Sequence, residues 1–347
     1  MKKTMAFIHV IIPCYNVEKY LEQAVYSVLN QPGKDIDIVL VDDGSPGRTP
    51  QLCDALAAKE PCIHVIHKPN GGVSSARNAG IEYVLTQYAD GLSGRYIAFL
   101  DADDCWESGF LSGETLELLD AGYDLVGFQS CTCDPGLVRT GKPGVLQEGS
   151  HCGGQDNVWI HSTQHFGAMF YSCAFLKRYD IRFQEGLRYS EDKIFSMTCH
   201  YLAGQIRLEN RLMYLYRLSE GSAMGSRKFG IPYFLPIIDG YLKLDRQMRP
   251  FADENRGALK AGKNCVSHYI MDMIDEHYQQ RGSKTEVDAL LDSRPDYLDA
   301  LNAVGDFADM TPNSRYQQYR SAPGKYIAKH RFLGVLMKIK RMIKQFL

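Results

Sequence analysis

Nowhere does the chain approach the roughly 20 consecutive apolar residues that a membrane-spanning helix needs, so it is not expected to cross a bilayer. Its ten cysteines, at positions 14, 53, 62, 105, 131, 133, 152, 173, 199 and 265, contain no Cys-x-x-Cys and no paired spacing of the zinc kind. That excludes a zinc ribbon and leaves reduced thiols suited to a reducing compartment. A net charge of −2 over 347 residues gives no electrostatic footprint for a polyanion, and nucleic acid is not expected as a partner. There is no internal repeat and no low-complexity tract. The opening MKKTMAFIHVIIPCYN imitates a secretory signal, but its apolar run is short, carries His9 and ends in Pro13-Cys14-Tyr15-Asn16 instead of a small-residue cleavage site. A first core strand and a cytoplasmic protein are therefore expected. Acidic residues are also missing from the end of the chain: none follows Asp309, whereas nine Lys and Arg do.

What is present is ordinary globular material, with 45% hydrophobic and 23% charged residues, enough for one large core and a smaller second unit. FIHVIIP (7–13) and IDIVLVDDGS (36–45) are short continuous apolar runs of the kind buried on both faces of a parallel sheet. Between them Tyr20, Leu21, Ala24, Val25, Val28 and Leu29 recur at helical spacing and stop before Pro32-Gly33. PQLCDALAAKE predicts a second helix and CIHVIHKPNGG a third strand. SSARNAGIEYVLTQYA predicts a helix opened by a serine cap, and YIAFLDADD a fourth strand. Strands alternating with helices at this interval predict an α/β, Rossmann-like, mostly parallel sheet flanked by helices. Residues 111–190 are less regular and predict the wall of a cleft, and from about 230 the pattern is helical and polar. The expected division is a sheet domain at 1–225 and a helical region at 226–347.

In such sheets ligands sit beyond the carboxyl ends of the strands. Here each end carries unusual chemistry: Pro13-Cys14-Tyr15-Asn16, Asp42-Asp43, Asn70-Gly71-Gly72 and Asp101-Ala102-Asp103-Asp104. Taken singly, Asp and Gly at a strand end are turn formers. Together they form an acidic edge, and crowded carboxylates repel unless a cation neutralises them. Oxygen donors of this kind suit Mg or Mn, which are typically held by one or two carboxylates plus substrate phosphates.

The stretches VIIPCYNVEKYLEQAVYSVLNQ, VLVDDGS, NGGVSSARNAG, IAFLDADD, SEDKIF and YRLSEGS, in this order across residues 7–222, resemble the inverting GT-A glycosyltransferases of family 2. The resemblance implies a GT-A fold and transfer of a sugar from a nucleotide-diphosphate donor, with a UDP-sugar taken as the donor, to an acceptor hydroxyl. It implies that Pro13 and Tyr15 wall the nucleobase, that Asp42 and Asp43 accept from base and ribose, and that Arg77 and Asn78 lie beside the nucleotide. Asp101 and Asp103 match the DxD motif, with Asp103 as the direct Mn or Mg ligand and Asp101 nearer the ribose. Asp192 matches the general base, with Glu191 as its neighbour, and Arg217 is expected to reach the diphosphate. Acidic residues in a first helical turn are favoured by the helix dipole whatever their role, so the Glu191-Asp192 pair also has a purely structural explanation. A glycan or lipid-linked acceptor, as in bacterial surface polysaccharide assembly, is the implied partner. Residues 131–157 match no element of the family.

Other readings are weaker. IAFLDADD also resembles the nucleophile strand of haloacid-dehalogenase-type phosphatases, but those need Thr or Val where this chain has Cys105. A nucleotidyltransferase would carry a glycine-rich loop after the first strand, which PCYNVEK does not supply. A non-catalytic nucleotide-sugar-binding protein is the alternative of a different class. His151, His161 and His165, near Trp159, could be imagined as a metal site, but their irregular spacing favours cleft lining or ordinary packing, and Cys131 and Cys133 read as inert thiols. In the tail, HRFLGVLMKIKRMIKQFL (330–347), Phe332, Val335, Leu336, Ile339, Met342, Ile343 and Phe346 form one apolar stripe with Arg331, Lys338, Arg341 and Lys344 mainly off it. That suits a helix lying on an anionic membrane surface, or equally a helix docked on its own domain or on a second subunit.

Overall fold

The computed structural model describes residues 6–33, 35–153, 165–187, 189–218, 230–251, 256–308 and 310–346. The chain forms two compact units, Met1–Gly225 and Ser226–Leu347.

In the first unit the apolar runs become β1 (Phe7–Cys14), β2 (Ile36–Asp42), β3 (Ile63–His67) and β4 (Arg95–Phe99), all mutually parallel in the order β3-β2-β1-β4. Ile8, Val10, Ile11 and Ile12 of β1 are all fully buried, as a strand covered on both faces requires. Helix α1 (Leu21–Leu29) turns Leu21, Ala24, Val25 and Val28 inward, the larger three worth about 1.5–3 kcal/mol each when fully buried. Helices α2 (Thr49–Lys59) and α3 (Val73–Gln87) complete the crossovers. Helix α3 approaches β1 closely at Gly80, where a Cβ would stand 2.5 Å from Cγ2 of Ile11.

The serine cap expected for α3 is not what opens it. Gly72 is the capping residue, with φ 86° and no side-chain cap bond. Instead the Asp43 carboxylate, at the end of β2, accepts from the Gly71 and Gly72 N–H groups at 3.0 and 2.8 Å. A carboxylate at a helix N-terminus satisfies amides that would otherwise be orphaned.

Beyond β4 the sheet turns mixed. Short β5 (Cys105–Trp106) and α4 (Gly113–Asp120) precede β6 (Leu125–Cys133) and β7 (Gly149–His151); then come β8 (Met169–Ser172) and α5 (Cys173–Arg178). Helix α6 (Glu191–Leu202) and β9 (Ile206–Arg217) close the unit. The full order is β3-β2-β1-β4-β8-β6-β9-β5, with β7 also on β9. Strand β8 runs antiparallel to both β4 and β6, β9 parallel to β6, and β5 and β7 antiparallel to β9. The stretch expected to be an irregular wall thus contributes β6 and β8 to the sheet interior. Cys14 pairs with Asp42, and Ile11 with Phe99. This register aligns Pro13, Asp42 and the Asp101–Asp104 turn along one sheet edge.

The second unit is helical throughout its described residues: α7 (Ile231–Met248), α8 (Arg256–Gln279), α9 (Lys284–Ser293), α10 (Pro295–Asn302), α11 (Ser314–Ser321) and α12 (Pro323–Phe346). Ser283 and Glu286 form a reciprocal capping box on α9, and Asn313 caps α11 through the N–H groups of Arg315 and Tyr316. Tyr241, Ile270, Tyr278, Tyr297 and Leu301 fill its core. Among the described residues no helix is long and apolar enough to cross a membrane.

Candidate active site

The site grows from the strand ends. After β1 the chain leaves through Asn16, which adopts φ 55° and donates its N–H to the Ser45 hydroxyl, and Tyr15 stands half exposed at the rim. At the end of β2, Asp42 accepts from the Ser45 N–H at 3.1 Å and pairs with His67 Nδ1 at 3.0 Å, while His67 Nε2 reaches Asp54 at 3.1 Å. Burial by itself raises the Asp42 carboxyl, but hydrogen bonds from His67 and Ser45 together hold it below the usual carboxylate range. Asp43, as buried as Asp42, receives Lys68 Nζ at 2.6 Å in addition to the two glycine amides. Both aspartates expected to accept from base and ribose therefore also shape the loops around them.

Helix α3 carries Arg77 and Asn78. Arg77 is buried, with Nη2 at 2.7 Å from Asp101 Oδ1 and Nη1 at 3.2 Å from Glu191 Oε1. The guanidinium lies over the rings of Phe166 and Phe183, 4.4 and 5.1 Å from their centroids. Asn78 exchanges two hydrogen bonds with the Phe183 backbone and donates a third to Glu185, so it pins the segment leading to α6.

Past β4, three carboxylates crowd one turn. Asp104 is buried; it accepts from the Tyr214 hydroxyl at 2.7 Å and the Arg217 N–H at 2.7 Å. Burial, then Asp101 and Asp103 beside it, push its carboxyl well up, and burial, then Asp101, raise that of Asp103. Among the described residues, Asp101, Asp104 and His165 offer one ligand atom each, all within 4.8 Å of one another. A buried and a partly exposed carboxylate beside an imidazole are a donor set that fits a divalent cation. This set takes in Asp101 and Asp104 of the acidic turn, while Asp103, expected as the direct ligand, is not among the three.

His165, expected to line the cleft or pack in the interior, stands in this donor set. Its Nδ1 accepts from the Gly167 N–H at 3.2 Å and its ring packs on Tyr214, 4.4 Å between centroids. Burial lowers its basicity. No local spacing ties it to the acidic turn, and only the insertion of β8 beside β4 brings it there. His151 sits in β7 and bonds the Gln147 carbonyl, while His161 and Trp159 lie outside the described residues.

Glu191 and Asp192 open α6 after Ser190, which adopts φ 64°. Burial, then Asp192, raise the Glu191 carboxyl against the pull of Arg77. Asp192 is partly exposed and accepts from the Lys193 N–H at 2.7 Å. Arg217, expected at the diphosphate, is buried beneath the turn. Its Nε donates to the Asp103 carbonyl at 2.6 Å and Nη2 to Gln23 at 2.7 Å; Nη1 donates to the Pro135 carbonyl, and the group stacks on Tyr20 at 4.5 Å. Its guanidinium is occupied by protein acceptors and braces the acidic turn from below.

A mostly parallel sheet whose carboxyl edge gathers these acids, with a second acidic pair at a helix opening, is the architecture of the GT-A glycosyltransferases. The model of the family "Glycosyl transferase family 2" matches residues 9–179. The chain is 30% identical over 275 residues to "Uncharacterized glycosyltransferase EpsJ" of Bacillus subtilis (strain 168), covering 76% of this chain and 74% of that one. It is 31% identical to "Minor teichoic acid biosynthesis protein GgaB" of the same organism, over 65% of this chain but only 25% of GgaB. Among solved structures it resembles residues 1–349 of S. aureus TarS in complex with UDP-GlcNAc, with a TM-score of 0.64 and 21% identity over 96% of this chain and 92% of that one. The chain belongs to glycosyltransferase family 2, and it is a glycosyltransferase.

Proposed function

We propose that the enzyme moves a sugar from a nucleotide-diphosphate donor, a UDP-sugar, to an acceptor hydroxyl by a single inverting displacement, in assembly of a bacterial surface glycan. The observation that carries this reading is the Arg77 clasp. It joins Asp101, at the end of β4, to Glu191, at the start of α6, and so ties the helix opening that carries Asp192 to the strand edge expected to receive the donor. The UDP and UDP-GlcNAc bound by TarS support the choice of nucleotide, and the naming of GgaB for teichoic acid synthesis supports a surface-polymer acceptor.

In this reading Tyr15 and Pro13 border the base, with Asp42 and Asp43 orienting base and ribose. Asp192 takes the proton from the acceptor hydroxyl as its oxygen attacks the anomeric carbon from the face opposite the leaving diphosphate. Glu191 is neutralised by Arg77 and keeps the α6 opening in place. Asp101, Asp104 and His165 are the residues that would hold a divalent cation, with Asp103 adjacent, and a bound Mn or Mg would supply charge stabilisation to the departing nucleoside diphosphate. Arg217 supports this turn through the Asp103 carbonyl and the Asp104 carboxylate.

Thermal unfolding of the full chain with UDP-GlcNAc, UDP-glucose and GDP-mannose, each with and without Mn, tests the donor. A ligand at 100 times its Kd stabilises a one-site protein by about 2.7 kcal/mol. A Mn-dependent rise in Tm with at least one UDP-sugar, and none with GDP-mannose, is expected. No response to any UDP-sugar with Mn present would overturn the reading.

A further inference from the structure

Helix α12 divides its circumference between two surroundings. Tyr326, His330 and Gly334, spaced by four, are buried against the helix's own unit. The Tyr326 hydroxyl donates to Asp275 of α8 at 2.6 Å. Gly334 meets the end of α8 so closely that a Cβ would stand 2.2 Å from the Gln279 carbonyl oxygen. At about 100° per residue, Phe332, Val335 and Leu336 point roughly 180° away from that docked face. All three are exposed, Phe332 by 63%, and Leu333 and Met337, nearer the docked side of the helix, are exposed as well.

Exposed large hydrophobic side chains are otherwise scattered. Of the ten among the described residues, five stand between positions 332 and 337. Phe332, Val335 and Leu336 among them share one face, and exposed apolar side chains gathered on one face mark a contact surface. One face of the helix thus docks on α8, as one reading of the tail expects, and the opposite stripe stays exposed within the unit.

Charge selects the occupant. Lys325 and Lys329 lie exposed toward one end and side of the stripe, Arg331 and Lys338 along the other side. No acidic residue follows Asp309 to offset the nine Lys and Arg beyond it. A second copy of the helix would bring cations against cations, whereas a sheet of anionic headgroups complements them. We propose that α12 lies in the plane of an anionic lipid surface, its Phe332-Val335-Leu336 stripe among the acyl chains and its basic flanks at phosphate level. This follows from the C-terminal unit alone and stands whatever the donor proves to be.

Co-sedimentation of the full chain with vesicles tests it, using phosphatidylcholine alone or mixed with phosphatidylglycerol. Binding is expected to the mixed vesicles only. It should weaken when salt rises from about 0.1 M to about 1 M, as the Debye length falls from about 10 to about 3 Å. Phe332→Gln with Leu336→Gln should lower vesicle affinity about tenfold or more at unchanged Tm, since both side chains are exposed. Lys325→Gln with Lys329→Gln keeps the apolar stripe and should lose part of the preference for anionic lipid. Absence of binding to the mixed vesicles at low salt overturns the proposal, as does an apolar double variant that binds like the parent. A parent dimer in sedimentation velocity that the apolar variant converts to monomer, with no vesicle binding by either, assigns the stripe to a second copy instead.

Discussion

Nη1 of Arg77 lies 3.2 Å from Oε1 of Glu191, a residue 114 positions further along the chain, while Nη2 of the same guanidinium holds Asp101 at 2.7 Å. One buried cation therefore ties the turn after β4 to the opening of α6. Burial disfavours its charge, but Asp101 and Glu191 outweigh that and keep the guanidinium firmly protonated.

Arg77→Met should destabilise the ligand-free protein by about 3–5 kcal/mol, because it leaves two carboxylates in the interior without their cation. The partial exposure of Asp101 places the effect toward the lower end. Arg77→Lys keeps the charge without the two-pronged geometry and should recover only part of the loss. Urea unfolding of the three proteins measures this. Equal midpoints for the parent and the Met variant would contradict the clasp.

Gly167 offers a separate handle on the acidic turn. A Cβ there would meet Cε2 of Tyr214 at 2.4 Å and the Phe99 carbonyl at 3.0 Å. Tyr214 holds Asp104 through its hydroxyl, so Gly167→Ala should push that ring and loosen the turn. The expected cost is about 1–3 kcal/mol of stability together with weaker Mn-dependent nucleotide binding. An alanine variant with the parent's Tm and nucleotide affinity would show that the ring yields freely.

The first half of this architecture was legible because its signals are local. Apolar runs such as Ile8–Ile12 are buried on both faces, and each is punctuated by Asp, Asn or Gly at the strand end. The acidic edge could be read for the same reason. What escaped was non-local. Strand β8 has four residues, too few for a pattern, and its insertion between β4 and β6 is what carries His165 to Asp101 and Asp104. Strand β9 alternates through Arg207, Glu209 and Arg211, which reads as polar surface. The cap of α3 comes from Asp43, 29 positions before Gly72, and no spacing rule would find it. The protein contacts of Arg217 are equally non-local: they join the end of β9 to Asp103, Pro135 and Gln23, which no spacing rule brings together.

His67 predicts a pH dependence. Its hydrogen bonds to Asp42 and then Asp54 raise it above its ordinary 6.5, so its contribution is complete below 6.5 and is lost as pH rises through the folded value. For Asp42, held below its ordinary 3.8, the contribution is present above 3.8 and is lost as pH falls through the folded value. The pair stabilises most between the two folded values. The stability difference between the parent and His67→Gln should peak in mildly acidic solution and shrink toward alkaline pH. His67 is partly exposed, which limits the peak to about 1 kcal/mol. Urea midpoints across pH measure it, and a difference independent of pH counts against the pairing.

Arg217 distinguishes a brace from a donor contact. Arg217→Lys removes donors from the Asp103 and Pro135 carbonyls and from Gln23, each about 1–3 kcal/mol when left unsatisfied in the interior. A brace predicts a clear fall in Tm without Mn or nucleotide. A residue whose main contact is the diphosphate predicts an unchanged ligand-free Tm and a weakened affinity for UDP. Unfolding without ligand and titration with UDP separate the two.

Asp192 carries the sharpest prediction. General-base catalysis contributes about 100- to 10,000-fold, so Asp192→Asn should lower kcat by that range while the amide, of the same shape, leaves UDP binding in the presence of Mn unchanged. Glu191→Gln should behave differently. It takes away the negative charge that faces Arg77 Nη1, so it should lower stability and turnover together, with a smaller loss of kcat than at Asp192. Single-turnover transfer from a UDP-sugar, alongside calorimetric titration of UDP, resolves binding from chemistry in both variants. If Asp192→Asn retained turnover within about tenfold of the parent, the proton would have to leave by another route, and the role given to the opening of α6 would fall.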